Sequence, residues 1–435
     1  MLYAIVIVCS ILFCFIIGKT IYRGGIAQLF INPIVLGSLF FLIVHILMPI
    51  LQWNIKYFRY ETSYTEDTYA YSILLVSIGQ LILIITLHLH KYAVVQKSTT
   101  KVLTERFYTK AFKLNLLIFL IGAFFSYKNL QEIFFYGIEN YLPNRISFGI
   151  GNQIELLLST WLYISCIVFF YLYLNIQTLR SIKKWSFIFF LLSLLSTIIY
   201  YTVNSNRHSI FILLINLLAL YSIFTKRSFQ KFNFKQLKVA FKVLIISLCS
   251  ISLFFFIGNI RETRKIDPTF SPDYSLIEAI NGAFGNHENI VWLLDNKYDD
   301  QLGSTYAAAI LNFIPRSVWE DKPLGAGPRL KNMIYPGSYV LGNNYISSVT
   351  TGFYTEFLMN FGITGIFLGP IIIGLILAFF LKKLKVTTNP ITNLILIFIL
   401  ITLSTEYYYA EFLGLLARFI FSGIPLFLLY KISKG

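Results

Sequence analysis

Six arginines stand where an anion could be gripped. Arg261 and Arg264 lie in Gly258-Asn-Ile-Arg-Glu-Thr-Arg-Lys265, just beyond an apolar run, and Arg316 follows a proline in Ile314-Pro-Arg-Ser-Val-Trp-Glu-Asp-Lys-Pro323. Arg329 comes after Gly325-Ala-Gly-Pro328, Arg207 closes the turn Asn204-Ser-Asn-Arg207, and Arg418 sits inside the last apolar run, seven residues after Glu411. Guanidinium suits phosphate because its planar fork donates two parallel charged hydrogen bonds. Lys322 is a weaker candidate for the same role. Glu356, where a long polar segment returns to apolar sequence, is the candidate general base, since burial there would raise its pKa towards neutrality. His287 and Glu320 are rivals for it. Each also has a plainer reading. Glu356 would complement a helix dipole, Glu320 would pair with Arg316 four residues away, and His287 would be an exposed loop histidine. Arg418 would pair with Glu411 or Glu406, because seven residues is two helical turns.

The elements that position these groups are membrane spans. Of the 435 residues, 57% are hydrophobic and only 13% charged, with a mean hydropathy of +0.69, against about 25% charged in soluble domains. A span needs about 20 apolar residues. The qualifying runs are Leu2–Gly18, Val35–Leu51, Tyr69–His90, Leu114–Tyr127, Glu155–Leu174, Trp185–Thr202, Ser209–Thr225, Phe241–Gly258, Phe353–Leu381, Ile391–Thr405 and Glu411–Tyr430. The expected fold is therefore all-α, a polytopic membrane helix bundle of about eleven spans. The first run lacks a basic flank before it and a small-residue cleavage site after it, so it reads as a retained anchor.

The net charge of +16 comes from basic clusters between spans, such as Lys91 to Lys113 and Lys226 to Lys242, which mark cytoplasmic loops. This explains the charge without nucleic acid, and it sets the N-terminus outside and the C-terminus inside. The four cysteines all fall in apolar runs and the five histidines show no ligand spacing. Neither a disulfide nor a metal is expected, and no Gly-rich nucleotide loop is present.

Residues 1–258 carry the first eight spans, 259–351 form one large outer loop, and 352–435 carry the last three. The loop holds six prolines (268, 272, 315, 323, 328 and 336). A structureless loop of this length is usually functional. Two stretches in it look helical, Tyr274–Leu294 and Tyr306–Phe313. Trp292, Trp319, Tyr335, Tyr345 and, at the re-entry, Tyr354 are candidates to stack on a sugar face, although aromatics resting on the membrane interface are equally common.

The stretch Ile314–Pro323 resembles the outer-loop motif of Wzy-type oligosaccharide repeat-unit polymerases, as does Gly352-Phe-Tyr-Thr-Glu-Phe-Leu-Met-Asn-Phe-Gly362. The Asn206-Arg207 turn is similar to a basic turn of that family that often reads Gly-Ser-Arg, from which it departs. The resemblance covers mainly residues 204–362. It implies a GT-C-like glycosyltransferase of the bacterial plasma (inner) membrane, acting on the extracytoplasmic or periplasmic side. Such an enzyme transfers a growing glycan from undecaprenyl pyrophosphate to a lipid-linked repeat unit of O-antigen or capsule, without a cofactor. Arg207, Arg261, Arg264, Arg316, Arg329 and Arg418 would then hold the diphosphate. A flippase and a chain-length regulator would be partners. An O-antigen ligase-like transferase and a flippase or transporter of lipid-linked oligosaccharide are the competing readings.

Overall fold

The computed structural model describes residues 1–25, 28–60, 63–90, 103–137, 140–141, 153–204, 207–224, 280–282, 284–314, 318–319, 321–340 and 348–434. Among them the regular structure is helical, without strands. Eight helices are long and apolar enough to cross a membrane, and the chain is a membrane-embedded helical protein. These are α1 (Leu2–Gly24), α2 (Pro33–Ile55), α3 (Glu66–Leu89), α4 (Glu105–Tyr136), α5 (Ile154–Asn175), α6 (Arg180–Val203), α11 (Phe353–Val386) and α13 (Phe412–Lys434). Between them lie α7 (Arg207–Phe224) and three short helices, α8 (His287–Asp295), α9 (Ser304–Ile310) and α10 (Ala326–Ile334), while α12 (Pro390–Glu406) precedes α13. The span expected over 241–258 lies outside the described residues.

Several expectations shift. The short fourth run is the middle of a 32-residue helix, α4, whose first turns carry Arg106, Lys110 and Lys113. Its start is fixed by Thr104, whose hydroxyl accepts from the Phe107 amide at 3.3 Å. In its described part the stretch expected over Tyr274–Leu294 is helical at 280–282 and at Phe284, turns at Gly285 and Asn286 and continues as α8. The one expected over Tyr306–Phe313 begins two residues earlier, as α9, and tightens into a 3₁₀ turn over Leu311–Phe313. α10 was not anticipated, since Gly325, Gly327 and Pro328 mask its periodicity.

The chain forms two compact units. The first comprises Met1–Gln96, Ile280–Val386 and Ile399–Ala417. In it α2 widens into a π-helical stretch over Leu42–Leu47, closed by the Met48 amide donating to the Ile43 carbonyl. Pro49 explains the stretch, because it lacks an N–H and its ring crowds the carbonyl four residues back. α3 packs on α11 through glycines. A Cβ at Gly79 would stand 2.8 Å from the Ile366 carbonyl, and one at Gly374 would stand 2.9 Å from Thr86. That carbonyl is the one Pro370 leaves without its helical donor, so the two backbones meet where a helix lacks a bond.

The ninth expected span is not one helix. α11 breaks at Phe361 (φ −135°) and Gly362 (φ 59°, ψ −155°), a conformation that only glycine adopts without strain. The break frees carbonyls of the preceding turn, and the stretch from Tyr298 to Leu302 satisfies them. Tyr298 Oη donates to Leu358 O at 2.9 Å, while the amides of Gln301 and Leu302 donate to Met359 O and Asn360 O, both at 3.0 Å. Irregular backbone at the edge of a membrane helix persists only when protein satisfies it in this way.

The second unit comprises Lys97–Ala279, Thr387–Phe398 and Arg418–Gly435. Its described interior is aromatic. Phe169 stacks on Phe189 at 5.5 Å, and Phe170 lies 4.8 Å from Phe190. Asn115 ties α4 to α5 through the Ser165 carbonyl at 3.0 Å.

Candidate functional site

The first unit collects a buried polar cluster around the start of α8. Asn286, His287, Glu288 and Asn289 are all fully buried, and each finds partners. Asn286 Oδ1 accepts from Thr350 Oγ1 at 2.7 Å, and Asn289 Nδ2 donates to Thr350 O at 2.8 Å. Asn289 Oδ1 accepts from the Tyr60 hydroxyl at 2.9 Å. Glu288 Oε1 receives the amides of Arg59 and Tyr60 at 2.7 and 3.0 Å, and its Oε2 faces Gln52 Nε2 at 3.4 Å. Burial raises the Glu288 carboxyl to about 7, outweighing the bonds from Tyr60 and Arg59 that favour its charge.

His287 is not an exposed loop histidine. Its Nδ1 lies 3.0 Å from His45 Nδ1, and its Nε2 lies 2.9 Å from Ser72 Oγ. Ser72 spends its single hydrogen on the Tyr69 carbonyl at 2.7 Å, so His287 Nε2 must be the donor to Ser72. His287 Nδ1 is then a lone pair, and His45 donates to it from its own Nδ1. Burial holds His287 neutral by lowering it to about 3, as this directed chain requires. The histidines show no pattern in sequence, yet folding joins two of them across 242 positions. No group of three or more His, Cys, Asp or Glu side chains suited to a metal occurs among the described residues.

Tyr354 is not a surface platform either. It is buried, its hydroxyl donates to Gln80 Oε1 at 3.0 Å beside that of Tyr408 at 2.8 Å, and its ring meets His45 edge-on at 5.4 Å. Trp292 is buried as well, whereas Trp319 and Tyr335 remain partly exposed, with the Lys331 ammonium over the Tyr335 ring.

Glu356 is buried, as the sequence predicts. Its carboxylate is sealed from solvent, Oε2 accepts the Phe412 amide at 2.7 Å, and Oε1 accepts Thr305 Oγ1 at 2.8 Å. Asn360 Nδ2 completes the set by donating to Thr305 Oγ1 at 2.8 Å. Glu356 thus caps the first turn of α13, a helix other than its own, and clamps α9 to α11. Its geometry is that of a fastening and gives it no approach to a substrate. Lys322 is a fastening too. It is buried, and its ammonium donates to Asn312 O and Ile314 O, both at 3.0 Å, closing the base of the 312–322 loop.

Two groups of the first unit keep partial exposure. Glu411 is half-buried, and its Oε2 accepts the Gly327 amide at 2.6 Å in the first turn of α10. Arg329, two residues further along that helix, is half-buried and bonded through Nη1 to Ser304 Oγ. In the second unit Arg418 is half-buried, donates to Ser209 Oγ at 3.3 Å and lies within electrostatic reach of Tyr163, Tyr201 and His208. Arg261, Arg264, Arg316, Glu320 and Tyr345, together with the side chain of Arg207, lie outside the described residues.

Sequence reasoning passed over His45, Gln52, Arg59, Gln80, Asn281, Glu288 and Glu411 as site residues. Two signals were available. Lone polar residues inside apolar spans, such as His45 and Gln80, are costly unless they serve a purpose. The run Asn286-His-Glu-Asn289 also abuts Ile290-Val-Trp-Leu-Leu294, placing polar and apolar residues in one buried helix. No family model, no curated protein and no solved structure matches this chain.

Proposed function

We propose that the chain is a glycosyltransferase that polymerises lipid-linked oligosaccharide repeat units at the extracytoplasmic face of a bacterial plasma membrane. In this reading it has about eleven spans, an outer N-terminus, a cytoplasmic C-terminus and a GT-C-like plan. Undecaprenyl pyrophosphate carries both donor and acceptor glycans, and a flippase and a chain-length regulator work beside it. The two motifs at 314–323 and 352–362 support the family. Glu411, bonded to the Gly327 amide in the first turn of α10, carries the chemistry, with Arg329 two residues further along that helix.

Transfer needs a base for the acceptor hydroxyl and cations for the departing diphosphate. The acceptor oxygen forms a bond to the anomeric carbon of the donor as its proton passes to a carboxylate. The anomeric C–O bond to the diphosphate breaks, and the electron pair leaves with the diphosphate. Glu411 takes the base role first expected of Glu356, because Glu356 is sealed behind two hydrogen bonds. Arg329 and Arg316 hold the leaving group. A ligase-like transferase calls for an accessible loop histidine, and the burial of His287 weighs against that reading.

The test is a glycan ladder from a deletion strain complemented with variants. Glu411→Gln keeps an acceptor for the Gly327 amide but cannot take a proton. It should leave single repeat units on the lipid, as should Arg316→Ala, while Glu356→Gln should still give long chains. A full ladder in the deletion strain itself would remove the polymerase reading, and a full ladder from Glu411→Gln would remove Glu411 from the chemistry.

A further inference from the structure

We infer that Gln52, Arg59 and Asn281, packed against Gly285, form a binding site for the hydroxyls of a sugar ring. Sugar as the ligand class rests on the transfer reading above, whereas the donor and acceptor arrangement stands without it.

Three polar atoms of one neighbourhood are buried without a hydrogen-bond partner among the described residues, namely Arg59 Nη2, Asn281 Nδ2 and Gln52 Oε1. Their other atoms show that they converge. Gln52 Nε2 donates to Asn281 Oδ1 at 2.6 Å, and the same nitrogen faces Glu288 Oε2. A Cβ built on Gly285 would collide with Asn281 Oδ1 and stand 2.8 Å from Arg59 Nη2. Any residue but glycine at 285 would push Asn281 and Arg59 out of these positions. Gly285 takes no positive φ, so this close packing is the reason for its identity and backbone freedom is not. The neighbourhood reaches the surface, because Gly282 is exposed and Arg59 is only half-buried.

An unmade bond to a buried donor or acceptor costs roughly 1–3 kcal/mol, so three in one place ask for an occupant. The set contains two donors and one acceptor, with the Glu288 carboxylate alongside. An anion satisfies the donors only, and it meets Glu288 and the Gln52 carbonyl head-on. A hydroxyl accepts from Arg59 or Asn281 and donates to Gln52, and two neighbouring hydroxyls of one ring satisfy all three groups. Tyr335, partly exposed and hydrogen-bonded through its hydroxyl to the Arg59 carbonyl at 3.1 Å, supplies an aromatic surface at the rim.

Thermal unfolding of the full chain in detergent, titrated with glucose, galactose, mannose or N-acetylglucosamine and separately with inorganic pyrophosphate, tests the site. At least one sugar should raise the midpoint of the wild-type protein in a saturable way. Asn281→Asp, which keeps the shape but replaces the donor, should weaken that sugar roughly tenfold or more. Gly285→Ala should abolish the response, and Asn281→Asp keeps the test open if Gly285→Ala does not fold. A wild-type protein indifferent to all four sugars overturns the inference, as does a sugar response unchanged in Asn281→Asp. A response to pyrophosphate alone, lost in Arg59→Met, also overturns it in favour of an anion site. The glycan ladder separates the two proposals, because long chains from Asn281→Asp beside none from the deletion strain would sink the sugar site and leave the polymerase reading standing.

Discussion

The two units are built from helices of similar apolar character, yet they spend their interiors differently. The second unit packs phenylalanines on one another, Phe169 on Phe189 and Phe170 beside Phe190, and its buried polar side chains include hydroxyls and amides such as Ser165, Ser193 and Asn216. Ser165 and Ser193 bond carbonyls of their own helices at 2.8 and 3.0 Å, a local arrangement that needs no partner segment. Among the described residues, the buried Glu, Lys and His residues belong to the first unit, namely His45, His287, Glu288, Lys322, Glu356 and Glu406, while His208 of the second is half-buried. His287, Glu288 and Glu356 bond across distant stretches of the chain, whereas Lys322 closes on carbonyls a few residues away. Long-range polar bonds cost desolvation and return geometry, so they belong where groups must be held in fixed places.

If that contrast is right, polar truncation should hurt the first unit far more than the second. Glu356→Ala leaves the Phe412 amide and Thr305 hydroxyl unpaired in a buried place and should cost about 2–4 kcal/mol. Ser165→Ala in the second unit loses one local bond and should cost under about 1 kcal/mol. Midpoints of thermal unfolding in detergent measure both, and equal losses would erase the contrast. A smaller effect is expected from the imidazole pair. A double-mutant cycle of His45→Ala and His287→Ala should return a coupling of about 0.5–3 kcal/mol, and a coupling of zero would mean that the two rings do not bond.

The smallest effect is in pH dependence, where two buried groups act in opposite directions. Glu288 rises from 4.5 to about 7 on burial, so its contribution is present below 4.5 and is lost as pH climbs through about 7. His287 falls from 6.5 to about 3, so its contribution is present above 6.5 and is lost as pH drops towards 3. Between pH 4.5 and 6.5 these two contributions therefore oppose each other. Glu288→Gln should remove one slope and expose the other, giving a midpoint that declines from pH 6.5 downward. A flat profile in that variant would mean that His287 remains reachable by protons.

Much of the helix plan was open to inspection in the chain. Apolar runs long enough to span a bilayer, bounded by Thr65, Thr104 and the basic clusters, name most of the long helices because length and hydrophobicity are local properties. Breaks were harder to see. Gly362 resembles any glycine in an apolar run until the amides of Gln301 and Leu302 are found satisfying the carbonyls before it. The site was the least legible part. Glu356 has the position of a base and the bonds of a cap, and only the Phe412 amide, 56 residues away, separates the two roles.

Composition and periodicity by themselves determined that this is a helical membrane protein with one polar segment too long to be a simple connection. They do so because transfer of apolar side chains from water is additive along the chain and blind to what lies across the bundle. Which polar residues meet was decided only by tertiary structure. A hydrogen bond between His45 and His287, or an amide set gathered round Gly285, depends on distances of about 3 Å between residues hundreds of positions apart. No local pattern encodes such a meeting.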